Sequence, residues 1–306
     1  MIDYPNDQSE FETLFSSEDA CRAYLAAIRW PNGFVCPGCG HMLTWQLPGG
    51  ILACRQCGRK TSVTAGTLLH DTRYPLRIWF QAIWYVVGQK YGASALGLQR
   101  LLGLGSYHTA WAWLHRLRRA MVRPGRDRLH GTVEVDETYW GGAKAGKRGR
   151  GATGKTLIFV AVAYNEQKLQ RIRLLCIPDV SGPTLLGAVQ HCVAPGSTVD
   201  TDGWTGYHGL ATVGYTHRVV RTDTGDNADL LPRVHLVVAL LKRWLMGTHQ
   251  GGVQASHLDY YLDEFTFRFN RRTSHSRGLL FRRILEHAMQ GEPLREVDLQ
   301  AKSLTE

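Results

Sequence analysis

Apolar residues recur at helical spacing over one stretch of the chain and in strict alternation over another, and the change of period divides it. Between Pro75 and Met121 the spacing is helical. Leu76, Phe80, Ile83, Trp84 and Val87 mark one helix, Ser94 stands as a cap before ALGLQRLL, Leu102-Gly103-Leu104-Gly105 forms a turn, and Tyr107 to Met121 gives a third helix. Two helices joined by a glycine-containing turn have the outline of a helix-turn-helix. After the polar Arg126-Asp127-Arg128 the period falls to two. GTVEVDETYWGG is predicted as a strand with Val133 and Val135 on one side and Glu134 and Asp136 on the other. KTLIFVAVAYN and QRIRLLCIPD are two further strands, SGPTLLGAVQHCV is a capped helix, and STVDTDGWTGYHGL is a strand ending in acids, with Asp200 and Asp202 on a shared face.

The 306 residues, 44% of them hydrophobic, suffice for two or three packed domains. Lys and Arg outnumber Asp and Glu by 36 to 26, with a pI near 9.4, a balance that favours a polyanionic partner such as nucleic acid. The opening MIDYPNDQSEFETLF carries acids where a signal peptide needs a basic segment followed by an apolar one. The longest apolar run, Leu157 to Tyr164, has the length of a strand and not the ~18 residues of a membrane span. A cytoplasmic protein without membrane attachment is expected.

Four of the seven cysteines fall in two tight pairs, Cys36-Pro-Gly-Cys39 and Cys54-Arg-Gln-Cys57, each followed by glycine. Two such turns present four thiolates to one ion, the donor set of a structural Zn²⁺ site. The residues between them read as a hairpin turned at Pro48-Gly49-Gly50, so the segment is predicted as a zinc ribbon holding one zinc. A redox pair of C-x-x-C motifs would need a βαβ setting, which is absent. The lone Cys21, Cys176 and Cys192 sit in apolar surroundings and are expected in the core.

Basic residues mark the candidate DNA contacts. The third helix carries His108, His115, Arg116, Arg118 and Arg119. Lys144, Lys147, Arg148, Arg150 and Lys155 form a basic hairpin able to touch a DNA backbone, and Arg268, Arg271 and Arg272 a further basic cluster. The run from Gly149 to Thr156 matches the phosphate-loop pattern GxxxxGK[ST], but such a loop needs an apolar strand before it and a helix after it. Here GGAKAGKR precedes and the strand-like LIFVAVAY follows, so nucleotide binding is not expected.

Two acid-bearing strands separated by a β-meander and a helix fit a ribonuclease-H-like sheet, in which carboxylates from neighbouring strands meet at one end. Such carboxylates can hold two Mg²⁺ ions ~3.5–4 Å apart for phosphodiester chemistry. The segments CPGCG...CRQCGRKTSVTAGTLLH, LRIWFQAIW, VEVDETYWGG, VDTDGWTGY and LDEFTFRFNRR resemble the bacterial insertion-sequence transposases that couple an N-terminal zinc ribbon to an ISXO2-like DDE transposase domain. The resemblance spans roughly Phe11 to Glu286. It implies Mg²⁺-dependent cleavage at terminal inverted repeats and strand transfer into target DNA, with Asp136 and Asp202 as the first two carboxylates. The third position departs from the pattern. DDE enzymes commonly place a Glu seven residues before a Lys or Arg, whereas His235 stands seven before Lys242, and Leu240 stands where relatives often carry Asn. Either His235 completes the site or another acid does, with Asp259, Asp263 and Glu264 as the alternatives.

The expected architecture is α/β: an N-terminal helix and zinc ribbon (1–72), a helix-turn-helix-like segment (73–125), a ribonuclease-H-like mixed-sheet catalytic domain (126–290) and a tail (291–306). The expected function is that of a DNA transposase, nucleoid-associated in a bacterium and acting on double-stranded DNA as a dimer or larger assembly. A catalytically inactive DNA-binding regulator and a simple metal nuclease are the rival readings.

Overall fold

The computed structural model describes residues 3–123, 125–141, 155–166, 168–220, 230–295 and 298–299. The N-terminal part runs α1 (Gln8–Leu14), α2 (Glu18–Arg29), a three-stranded antiparallel ribbon β1 (Thr44–Leu47), β2 (Ile51–Cys54) and β3 (Lys60–Thr61), then α3 (Leu76–Gly88), α4 (Ala95–Leu102) and α5 (Tyr107–Ala120). Side chains outside each helix set where several of them start. Asp7, Ser17, Ser94 and Ser106 each accept a backbone N–H from the first turn of α1, α2, α4 and α5, satisfying donors that have no partner inside the helix. The helices predicted from apolar spacing and from Ser94 lie where expected, and Gly103, at φ 62°, closes α4 at the predicted turn.

The second part runs β4 (Thr132–Trp140), β5 (Thr156–Asn165), β6 (Lys168–Ile177), α6 (Gly182–Cys192), β7 (Thr198–Thr201), β8 (Thr216–Val219), α7 (Pro232–Gly247) and α8 (Leu258–Asn270), and is followed by α9 (Arg277–Gln290). Its sheet has the order β6-β5-β4-β7-β8. The β4–β5 and β5–β6 pairs are antiparallel, and the β4–β7 and β7–β8 pairs are parallel. A meander of three strands followed by parallel strands added on the far side of the first is the mixed ribonuclease-H-like sheet the sequence pattern called for. Val133, Val135, Phe159, Ala161 and Val199 face α6 in one apolar cluster, while Ile158, Val160 and Val162 face α7 and α8 in another. Because β5 is covered on both faces, it reads as a nearly continuous apolar run rather than as an alternation.

The described residues form two compact units, one built from the first 124 residues together with 274–301, the other from 125–273. This revises the predicted boundary at residue 290. Helix α9 packs against α2, α3 and α5 and belongs to the N-terminal unit. Phe281 is the physical reason: it sits among Phe11, Phe15, Phe80 and Trp84 with ring centroids 5.4–5.8 Å away, completing an aromatic core whose other members lie in the first 84 residues.

Candidate metal and catalytic sites

The ribbon places its four cysteines as the spacing predicted. Cys36 Sγ lies 3.6 Å from Cys57 Sγ and Cys39 Sγ 3.5 Å from Cys54 Sγ, and all four sulfurs lie within 4.8 Å of one another. A tetrahedron with Zn–S bonds of ~2.3 Å has edges of about 3.8 Å, so the donor set fits zinc in size and in softness. The Gly38 N–H points at Cys36 Sγ and helps hold that thiol down at about 6, favouring the thiolate a metal needs. The β1–β2 hairpin turns at Pro48–Gly50 and returns the second knuckle to the first.

The second site lies on the α7 face of the five-stranded sheet. Asp136 is in the middle of β4, and Asp202 follows directly on the last residue of β7. Glu134 is paired in register with Asp200, so continuing the parallel register by two residues sets Asp136 beside Asp202. Burial, reinforced by the negative charge of Asp202, pushes the Asp136 carboxyl above the ordinary carboxylate range, while the Glu137 N–H and His235 pull it the other way. His235, in the first turn of α7, puts Nε2 at 3.3 Å from Asp136 Oδ2. Lys242 lies exposed two turns further along the same helix. Carboxylate and imidazole are donor types that divalent cations take, although among the described residues only the four cysteines are gathered within 4.8 Å of one another.

Two more acids share this face and are used differently. Glu134 and Asp200 are 2% and 1% exposed, and each is matched by an arginine. Arg233 Nη1 donates to Glu134 Oε1 at 2.8 Å, and Arg218 meets Asp200 through Nε and Nη2 at 2.8 and 2.6 Å. Tyr164 donates to Asp200 Oδ2 at 2.7 Å and lies with its ring 3.8 Å from the Arg233 guanidinium. The sequence shows these acids two residues before each candidate aspartate, in Glu134-Val-Asp136 and Asp200-Thr-Asp202. Their arginine partners come from 99 and 18 residues further along, and no local pattern announces them.

Residues 128–270 match the ISXO2-like transposase domain, and residues 16–60 match the transposase zinc-ribbon domain. Together the two matches make the chain similar to ISXO2-like transposases that carry a zinc ribbon. Over 144 residues the chain is 33% identical to an uncharacterized protein in transposable element ISH50 of Halobacterium salinarum. That match takes in 44% of the chain and 45% of the relative, so it spans less than half of that protein's length. The catalytic core domain of BIV integrase aligns with 43% of the chain and 80% of its own at 15% identity and a TM-score of 0.28. A simian T-cell lymphotropic virus intasome in complex with PP2A regulatory subunit B56 gamma aligns with 59% and 66% at 14% identity and a TM-score of 0.30. At these scores the likenesses add nothing to the strand order, on which the fold assignment stands.

Within residues 128–270, the acids named as alternatives to His235 each have another partner. Glu264 is buried and paired with Arg268 at 2.8 Å on α8, which packs on β6. Asp263 faces Arg126 at 3.7 Å, and Asp259 takes the Cys176 thiol, whose pKa rises through burial and that contact. Cys176 is thus a partly buried thiol beside a carboxylate, whereas Cys21 and Cys192 lie in the core as expected.

The basic residues expected on DNA divide. Arg119 is exposed, and Arg116 is half-buried with its Nε donating to the Leu294 carbonyl. Arg118 and His115 are 2% and 0% exposed and face one another at 3.4 Å, which corrects the expectation of groove contacts from them: buried groups cannot meet a phosphate. Arg268 is held by Glu264, Arg272 donates to the Leu169 and Gln170 carbonyls, and Arg271 lies over the Phe267 ring at 4.2 Å, so this cluster knits α8 to β6 and to itself. Lys144, Lys147, Arg148 and Arg150 lie outside the described residues. Lys155 precedes β5 directly, so the phosphate-loop match runs into a strand, as the flanking pattern predicted. Among the described residues no helix is long and apolar enough to cross a membrane.

Proposed function

We propose that the chain is a transposase that binds the terminal inverted repeats of its own insertion sequence and carries out metal-dependent cleavage and strand transfer. The observation that supports this best is the placement of Asp136 on β4 and of Asp202 just past the end of the parallel neighbour β7, near enough for its charge to act on Asp136, with His235 3.3 Å from Asp136. Asp136, Asp202 and His235 would hold the divalent ions, Mg²⁺ in the cell. When bound, such ions supply charge for the attacking and leaving oxygens of a phosphodiester. Asp136 must be ionised to serve as a ligand, and a bound cation would offset the desolvation that raises its pKa. His235 orients Asp136 and shares its charge, and Lys242 on the same face of α7 is suited to a DNA phosphate. Water and then a freed 3′-hydroxyl attack in line, with no covalent enzyme intermediate.

The zinc ribbon and the α4–α5 pair serve as the DNA-binding part, with Arg116 and Arg119 the contacts on α5. Two element ends have to be cut and joined together, so a dimer or larger assembly on DNA follows, in the cytoplasm at the nucleoid. The test is incubation with duplexes carrying both ends of the element, a target plasmid and Mg²⁺, repeated with Asp136→Ala. Joined products that vanish in the variant support the proposal. Cutting without joining makes the protein a nuclease, and binding without either makes it a DNA-binding regulator.

A further inference from the structure

The buried Glu134 is unused by the chemistry above, yet it has more partners than the aspartate beside it. Oε2 accepts the backbone N–H of Arg233 at 2.9 Å and that of Val234 at 2.9 Å, and Oε1 takes the Arg233 guanidinium at 2.8 Å. Those two N–H groups are the first free donors of α7, whose own cap residue, Leu231, offers no side-chain acceptor. A carboxylate from the sheet therefore does the work of the missing N-cap, and its charge lies at the positive end of the helix. The residue after Val234 is His235.

We infer that Glu134 is the positioning residue of the catalytic site: it docks the first turn of α7 onto β4 and so fixes His235 against Asp136. Glu134 and Asp136 are two residues apart on one face of one strand, a separation of about 6.7 Å that the pleat holds constant. The strand that carries the first carboxylate thus also carries the anchor of the helix that carries the imidazole. The anchor is itself braced. Arg233 lies over Tyr164 at 3.8 Å, Tyr164 donates to Asp200, and Arg218 Nη2 donates to the Tyr164 hydroxyl at 2.9 Å, so two acids, two arginines and a tyrosine tie α7 to β4, β5, β7 and β8. A buried carboxylate whose charge is matched this closely is a poor candidate for a metal ligand and a good one for a fixed support.

This inference rests on Asp136 and His235 acting as ligands, and its test separates the two claims. Mn²⁺ binding to the zinc-loaded protein is measured by electron paramagnetic resonance for the wild type, Asp136→Asn, His235→Ala, Glu134→Ala and Glu134→Gln, and for the doubles Glu134→Ala/His235→Ala and Glu134→Ala/Asp136→Asn. Loss of an outer support weakens metal binding by roughly tenfold or more. Glu134→Ala is expected to show that loss, Glu134→Gln, which keeps an acceptor for the helix N–H groups, a smaller one, and the double with His235→Ala no more than the larger single effect, since both remove the same contact. The double with Asp136→Asn loses further. In the metal-free site, the ¹⁵N shifts of His235 move toward those of a free imidazole in Glu134→Ala. Additive losses at 134 and 235, unchanged Mn²⁺ affinity in Glu134→Ala, or unchanged His235 shifts overturn the positioning role. Should Glu134→Ala not fold, the same cycle with Glu134→Gln decides. Undiminished Mn²⁺ binding in Asp136→Asn instead overturns the proposed function itself.

Discussion

Asp136 and Asp200 lie on the same face of the sheet, and changing each to asparagine should move stability in opposite directions. Asp200 is buried, with its side chain 2% exposed, and accepts from Arg218 Nε, Arg218 Nη2 and Tyr164. Asparagine keeps the shape but replaces one acceptor by a donor facing donors. A hydrogen bond to a charged group contributes ~1.5–3 kcal/mol, and breaking a fully buried pair costs ~3–5. Arg218 is 57% exposed and can rehydrate, which pulls the expected loss to about 2–3 kcal/mol. For a unit of this size that is a fall of about 4–12 °C in midpoint. Asp136 is the reverse case. Its folded pKa is raised by burial and by Asp202, so its ionised form costs stability at neutral pH, and Asp136→Asn should gain about 0.5–2 kcal/mol while abolishing activity. For a carboxyl with a raised folded pKa the penalty is full above that pKa and disappears as pH falls towards the ordinary value of ~3.9, so the advantage of the variant should fade on acidification. The assay is thermal unfolding of the zinc-loaded protein without Mg²⁺ or Mn²⁺, followed by addition of Mn²⁺, which should raise the wild type above Asp136→Asn. A parallel fall in both variants, or a gap at position 136 that widens in acid, would refute the division between a structural and a functional acid.

Three further outcomes are expected. Stripping zinc, or Cys54→Ser, should unfold the ribbon and leave the transition of the catalytic unit in place, since zinc binding and ribbon folding are one equilibrium; a ribbon circular-dichroism signal that survives chelation counts against it. Gly203 has φ 84°, and a Cβ there would meet Val219 Cγ1 at 2.8 Å, so Gly203→Ala should lose about 1–3 kcal/mol and shift the Asp202 turn, an expectation that an unchanged midpoint would defeat. Arg118→Ala should lower the midpoint through lost packing, whereas Arg119→Ala should leave it alone, weaken duplex binding and reduce the salt slope by about 1; the opposite pattern in fluorescence anisotropy and unfolding would return Arg118 to the DNA surface.

Local chemistry made much of this molecule legible. Val133, Glu134, Val135 and Asp136 alternate because β4 has an apolar face toward α6 and an acidic one toward α7, and Ser94 and Ser106 mark helix starts because their hydroxyls do capping work within three residues. The cysteine pairs were readable for the same reason, as each knuckle is a single turn. What stayed hidden depends on distant chain. Arg118 reads as a solvated base because nothing near it in sequence tells which side of α5 is covered, and α9, some 160 residues later, packs against that helix. Glu134 and Arg233 are 99 residues apart, so the sequence presents an acid with no visible role and a base with no visible partner.

The return of α9 to the N-terminal unit also has a consequence for synthesis. The core around Phe11, Phe15 and Phe80 lacks Phe281 until residues 125–273 have been made, so the ribbon-bearing unit cannot complete its fold while the second unit is still being translated. A chain broken off inside residues 125–273 would then lack the ring that closes the aromatic core of the first unit.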